Sequence, residues 1–161
     1  VMLSLPGTPV IYYGDEFGKS NDEKYYQEQI KLSGKDDTRF LVRGRVDWKT
    51  VEQKLQDNNS FESQVFYRVS NLIKVRNKFD HFGKGELKWL TNQLPDQVLA
   101  FDRIFDNSTI RVICNLSSQE QIIDLGNLNL QSGETDLLGN KIEVYDGTIK
   151  IPPFQYFWLR I

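Results

Sequence analysis

Two adjacent carboxylates, Asp15 and Glu16, close the apolar run Pro9-Val10-Ile11-Tyr12-Tyr13 and are the first side chains in the sequence that could act on a substrate. Cleavage of a glycosidic bond with retention needs a nucleophilic carboxylate and a carboxylic acid about 5 to 5.5 Å apart. Neighbouring side chains on an extended backbone point to opposite faces, so only one of this pair could look into a site. Glu16, at the end of a strand, reads as a structural acceptor of backbone or arginine hydrogen bonds. The aromatic residues Tyr25, Tyr26, Phe40 and Trp48 lie in the polar stretch that follows. Such rings either pin a loop to a body or stack on the apolar faces of pyranose sugars. His81, the single histidine, follows Asp80 near a helix end. It is expected at the surface, where its protonated form suits the negative pole of the helix. Cys114 sits in the apolar run from Ile110 to Leu116 and reads as a small core residue, because Arg111 would lie on the other face of its strand. The sequence contains no glycine-rich phosphate loop, Cys/His metal cluster, nucleophile elbow or spaced calcium-loop pattern, so it implies neither a metal nor a cofactor.

The 161 residues have room for one domain, or for one domain plus a piece of another. Hydrophobic residues make up 39% of them, with three Trp, seven Tyr and ten Phe, which is enough apolar material for a packed core. Twenty Lys and Arg stand against twenty-two Asp and Glu, a net charge of −2, so no nucleic-acid partner is expected. No apolar run approaches the ~18 residues of a membrane span, and no membrane partner is expected either.

The elements that would position these residues fall into two textures. Val1 to Leu5 suits the tail of a preceding helix. The run Pro9 to Tyr13, fenced by Pro6-Gly7 and Gly14-Asp15, reads as one buried strand. Being apolar on both faces, it suits a parallel strand covered by helices on both sides. That arrangement needs more parallel strands than this sequence supplies, so the chain is expected to be part of something larger. From Lys19 to Ser60 the sequence is polar and lacks clear periodicity, as a functional loop would be. Phe61, Val65, Val69, Leu72 and Ile73 then recur at spacings of three and four, predicting a helix of roughly four to five turns. Asn59, with Glu62 three residues on, is the favoured N-cap over Ser60. Lys74, Arg76 and Lys78 oppose the dipole at its far end.

Beyond Gly85 eight short strands are expected: Glu86 to Leu90, Val98 to Arg103, Thr109 to Asn115, Gln121 to Asp124, Glu134 to Leu137, Lys141 to Glu143, Thr148 to Ile151 and Tyr156 to Ile161. The turn signals Leu94-Pro95-Asp96, Asp106-Asn107-Ser108, Gly126-Asn127, Leu138-Gly139-Asn140 and Asp146-Gly147 separate them. The fold class is therefore mainly β, an antiparallel sandwich over residues 86–161.

The segment PGTPVIYYGDEFG resembles the eighth barrel strand of the α-amylase superfamily, glycoside hydrolase family 13, whose G-[DEQ]-E-[IFL]-G ending is matched by Gly14-Asp15-Glu16-Phe17-Gly18. Ser20-Asn21-Asp22 with Tyr25-Tyr26, then Lys35 to Phe40, then Arg43-Gly44-Arg45-Val46-Asp47-Trp48, are similar in order to the following loop of amylosucrases and sucrose-acting relatives. The resemblance implies that residues 1–85 are the last strand-loop-helix unit of an incomplete (β/α)8 barrel and that residues 86–161 are the C-terminal β domain. It implies a C-terminal fragment of a retaining hydrolase or glucosyltransferase acting on sucrose or α-glucans, with an α-glucoside sugar as partner. The three catalytic carboxylates of that family come from earlier strands, so no residue here is assigned a catalytic role and the chain alone is expected to be inactive. Arg39, in the D-[ST]-R pattern, is implied to hold the non-reducing glucose, and Arg43 is the rival substrate-binding candidate. A guanidinium suits the task because its rigid fork grips a carboxylate while offering spare N–H groups to hydroxyls. Each arginine could equally be an ion-pair partner of Asp36, Asp37 or Asp47. Amylosucrases tend to have H-R-P where this sequence has Val42-Arg43-Gly44. The alternative function is a stand-alone β-sandwich module that binds carbohydrate or another partner without catalysis.

Overall fold

Eight strands in two antiparallel sheets dominate the second half of the chain, in a computed structural model that describes residues 1–90, 94–131 and 135–161. By its internal contacts the chain divides into two compact units, Val10–Ser70 and a larger one made of Val1–Pro9 with Asn71–Ile161.

The larger unit is the β domain. Strands β1 (Glu86–Trp89), β2 (Val98–Phe105), β3 (Ser108–Asn115), β4 (Gln121–Asp124), β5 (Thr135–Asp136), β6 (Glu143–Tyr145), β7 (Thr148–Ile151) and β8 (Tyr156–Arg160) form one sheet of order β1-β2-β3-β8-β5 and a second of order β4-β7-β6. Glu134, where the fifth strand was expected to begin, lies outside the described residues. Local chemistry sets two of the hairpins. Asp106 and Asn107 take φ of 49° and 59° between β2 and β3, and Asp146 and Gly147 take 47° and 75° between β6 and β7. Two consecutive left-handed residues give the type I′ turn whose twist matches that of the strands it joins.

Alternation along the strands sorts their side chains into two cores. Ala100, Ile113, Phe157 and Leu159 face Ile123, Ile149 and Ile151 of the second sheet. Phe101, Ile110, Val112, Cys114 and Trp158 form the other face, packed with Leu3, Val75 and Phe82. The five-stranded sheet is thus covered on one side by strands and on the other by the helical residues Asn71 to Lys84. Between the sheets, Arg111 and Asp102 are cross-strand partners and pair through two 2.7 Å bonds. Arg103 is wholly buried and donates to the carbonyls of His81, Phe82 and Gly85 at 2.8 to 3.0 Å. At the end of the short helix α4 (Asp80–Lys84) it thereby gives the Phe82 and Gly85 carbonyls a donor and adds a second to the His81 carbonyl, which already accepts the Gly85 N–H.

His81 departs from its expected surface position. It is buried, and Nε2 lies 2.8 Å from Ser108 Oγ. Ser108 spends its one hydroxyl proton on the Phe105 carbonyl at 2.9 Å, so Nε2 is the donor and Nδ1 keeps a bare, unpartnered lone pair. A single residue type beside an acidic neighbour carries no information about the hairpin that covers it, and that hairpin decides the burial. Cys114 lies on the face opposite Arg111, as its odd spacing requires, and burial pushes its thiol pKa up.

The unit Val10–Ser70 holds α1 (Glu23–Ser33), α2 (Trp48–Gln56) and the start of α3 (Phe61–Arg76), with short 3-10 turns at Asp15–Phe17 and Thr38–Leu41. The stretch expected to be one aperiodic loop therefore contains two helices. Both start on an aspartate cap, Asp22 accepting the Tyr25 N–H and Asp47 the Thr50 N–H, and α1 stops at Gly34 with φ 68°. Neither helix has a buried residue, yet α2 carries Trp48, Val51 and Leu55 at spacings of three and four, a short apolar stripe that the sequence reading passed over. The cap of α3 is Ser60, whose Oγ accepts the Ser63 N–H at 3.1 Å, and not Asn59. Glu62 does not complete a capping box; it pairs with Lys54.

Residues 9–13 form no strand, and Val10 is 76% exposed. An extended segment becomes a strand only when another strand takes its N–H and C=O groups, and none of the described strands does so. Phe17 is the single buried apolar side chain between Val10 and Ser70.

Candidate functional site

The end of the apolar run is a closed turn and not an extended strand end. Asp15 accepts the Tyr12 N–H through Oδ2 at 3.1 Å, and Glu16 accepts the Gly14 N–H through Oε2 at 2.6 Å. Glu16 is the structural acceptor the sequence suggested. Asp15 is engaged in the same way, so the two adjacent carboxylates brace their own turn. Gly14, at φ 101°, supplies the backbone reversal that lets them do so.

Arg39 and Arg43 leave the ends of one short turn, Thr38–Leu41, yet their side chains differ in state. Arg39 grips Asp37: Nε lies 2.8 and 2.9 Å from the two carboxylate oxygens, and Nη2 lies 2.6 Å from Oδ2. That bidentate pair holds the Asp37 carboxyl down at about 2. The Arg39 side chain remains 69% exposed, so donors not turned to Asp37 face solvent. Arg43 is exposed, and its side chain makes no hydrogen bond or ion pair among the described residues. Its charge acts on both Asp37 and Tyr13, lowering each pKa, which brings the two arginines, Asp37 and Tyr13 into one electrostatic neighbourhood. The Tyr13 phenol is nonetheless raised, first by desolvation and then by the adjacent Tyr12. Tyr26 donates to Asp36 at 2.6 Å, and that bond raises its phenol.

Three contacts that sequence reasoning missed organise this surface. Lys19 Nζ and Tyr13 Oη both donate to the Gly44 carbonyl, the latter at 3.2 Å, and the Asp22 N–H donates to the Leu41 carbonyl at 2.7 Å. A glycine between Arg43 and Arg45 was the available signal for them. Beside this surface a cavity of about 310 Å³ is lined by Phe17, Val46, Val51 and Phe61 together with Asp47 and Lys54. Trp48 meets Phe17 edge to face at 6.0 Å, so it pins the loop. The arrangement can bind: it offers cationic fork donors beside aromatic rings and short acidic side chains, the chemistry that recognises hydroxyls. Among the described residues no cluster of His, Cys, Asp or Glu could hold a metal ion, and no helix is long and apolar enough to cross a membrane.

Comparison with known proteins gives this geometry a setting. The chain is 25% identical over 163 residues to the glucosylglycerate phosphorylase of Escherichia coli K12, an alignment covering 99% of this chain and 27% of that protein. It is 31% identical over 126 residues to the glucosylglycerate phosphorylase of Spirochaeta thermophila, covering 75% and 20%. It is 28% identical over 160 residues to an α-glucosidase of Apis mellifera, covering 79% and 27%. Among solved structures it superposes on the trehalose-6-phosphate hydrolase of Bacillus licheniformis with a TM-score of 0.66 at 18% identity, covering 98% of this chain and 36% of that one. An α-amylase from H. orenii gives 0.64 at 23% identity, covering 98% and 33%. Its relatives and structural neighbours are enzymes of the α-amylase family. No family model matches the chain. The chain spans about a quarter of the length of the curated relatives it matches. The likeness to solved structures shows the fold, and the mainly antiparallel β architecture is the part it supports.

Proposed function

We propose that this chain supplies the closing strand-loop-helix segment and the C-terminal β domain of an α-amylase-family enzyme that acts on sucrose or an α-glucan. The parent cleaves an α-glucosidic bond with retention and passes the glucosyl group to water or to an acceptor. The observation that carries this reading is the alignment of 99% of the chain with 27% of a glucosylglycerate phosphorylase. The packing supports it independently. A compact unit of this size with one buried apolar side chain has too little core to offset the entropy of ordering its backbone, about 1 to 2 kcal/mol per residue, and needs further surface to pack against.

In this reading the reacting carboxylates come from outside residues 1–161, and Arg39 and Arg43 belong to the sugar-binding wall. Asp37 holds Arg39 in place while its exposed donors reach the hydroxyls of a glucosyl unit. Arg43, unpaired among the described residues, takes a second set of hydroxyls or a carboxylate supplied by the remainder of the barrel. The test has two arms. The purified 161-residue chain shows no glucose release from sucrose, maltose or starch, and turnover by it would overturn the placement of the carboxylates. In the intact enzyme Arg39→Ala and Arg43→Ala lower kcat/KM far more than Lys49→Ala in α2; equal small effects would reduce both arginines to surface ion-pair partners.

A further inference from the structure

The loop bearing Arg43 and Arg45 is anchored at the carbonyl oxygen of Gly44. A carbonyl has two lone pairs, and here two donors take them: Lys19 Nζ and the Tyr13 hydroxyl. The two donors also hold each other, since the Lys19 ammonium lies 5.3 Å from the centre of the Tyr13 ring. Among the described residues Lys19 has no carboxylate partner, so its charge is committed to this carbonyl and this ring. A hydrogen bond from an ionised donor is roughly twice as strong as a neutral one.

Both sides of the clasp are shaped to receive it. The stem of Lys19 lies over Gly14, where an added Cβ would come within 2.9 Å of Lys19 Cβ. On the other side, an added Cβ at Gly44 would come within 2.9 Å of Asp22 Cβ, so Gly44 is held between the lysine and the start of α1. The Gly44–Arg45 peptide cannot turn without releasing the Gly44 carbonyl from both donors. The backbone of Arg43 is adjacent to this fixed point, and the backbone N–H of Arg43 is tied at its other end to the Phe40 carbonyl at 3.3 Å.

We infer that Lys19 is a positioning residue, which acts through the Gly44 carbonyl, with Tyr13 as its second anchor, to set where Arg43 presents its guanidinium. The purpose of that positioning rests on the reading of Arg43 as a sugar contact; the clasp itself does not.

The test uses an arginine-specific protease on the intact enzyme, with cleavage after each arginine of residues 1–161 timed by mass spectrometry. Lys19→Met raises the rates after Arg43 and Arg45 about tenfold, the factor expected for losing one charge-assisted bond that restrains the peptide. Lys19→Arg, which restores a cationic donor, brings both rates back toward the parent. Tyr13→Phe, which removes one hydroxyl, raises them by a smaller factor. Unchanged rates in Lys19→Met overturn the inference, and so does an increase that Lys19→Arg fails to reverse. If Lys19→Met also speeds cleavage after Arg111 in the β domain, the chain has unfolded and Tyr13→Phe decides: selective cleavage after Arg43 supports the inference and none overturns it. No sugar enters this assay, so a failure of the sugar-binding reading, seen with Arg43→Ala in the intact enzyme, is separate from a failure of the clasp.

Discussion

Breaking the Asp102–Arg111 pair should open the β domain far more than removing the pair altogether. The two side chains face each other across β2 and β3, are 11% and 6% exposed, and share two 2.7 Å bonds. Arg111 Nη1 also donates to the carbonyls of Leu128 and Asn129. Replacing Asp102 by Leu leaves a guanidinium inside the sandwich without its carboxylate. Replacing Arg111 by Met leaves a buried carboxylate and two carbonyls short of a donor. Loss of one partner of a buried pair costs about 3 to 5 kcal/mol, and Arg111→Met belongs at the upper end because orphaned carbonyls add about 1 kcal/mol each. The double substitution removes both charges and should cost less than either single one. Cys114, three residues along β3 and buried, gives an assay confined to this domain. Reaction of its thiol with a disulfide reagent requires the sheet to open, so the labelling rate follows the opening equilibrium. At about 1.4 kcal/mol per decade, each single variant should label roughly 10² to 4 × 10³ times faster than the parent, and the double variant distinctly slower than either. Single variants that label within about threefold of the parent, or a double variant that labels as fast as the product of the singles, would refute the reasoning.

Two titrations test other parts of the structure. Burial lowers the pKa of His81, and the nearby Arg160 and Arg103 act in the same direction, against Ser108 and Asp80. The folded state therefore holds the ring neutral; the stability this provides is present above the unfolded value of about 6.5 and is lost as pH falls below it, as the denaturation midpoint should show for the parent but not for His81→Asn. Asp37 has a folded pKa of about 2, so its pairing with Arg39 persists above the ordinary value of about 3.9 and fades only as pH falls through about 2. Carboxyl NMR should show that low value in the parent and an ordinary one in Arg39→Ala.

The β domain was readable because its determinants are local. Asp106-Asn107 and Asp146-Gly147 specify their hairpins, and period-two alternation sorts Ile110, Val112 and Cys114 from Arg111 and Ile113 without knowledge of the rest of the chain. The sixth strand shifted from Lys141–Glu143 to Glu143–Tyr145 because the Asp146-Gly147 turn fixes the register from its own end. Helices α1 and α2 were harder to read: they are short and bury no residue, and the signals they do carry, the aspartate caps and the spacing of Trp48, Val51 and Leu55 in α2, stand in a strongly polar stretch. The turn at Asp15 and Glu16 was misread because extended geometry was assumed for residues that have no strand to pair with. At the candidate site, the Arg39–Asp37 pair could be found from the neighbouring aspartates. The roles of Lys19 and Tyr13 could not, since each meets Gly44 across 25 residues or more.

The amides of Val10, Ile11 and Tyr13 offer the most direct measurement of whether this run is a stave that needs neighbours from outside the chain. Hydrogen exchange on the isolated 161 residues should find them exchanging within about tenfold of an unstructured peptide, while Val112 and Ile113, paired on both sides in β3, stay protected to the level of global opening. Protection at residues 10–13 equal to that of β3 would mean that the chain satisfies this segment by itself, and would contradict the proposal that it closes a larger barrel.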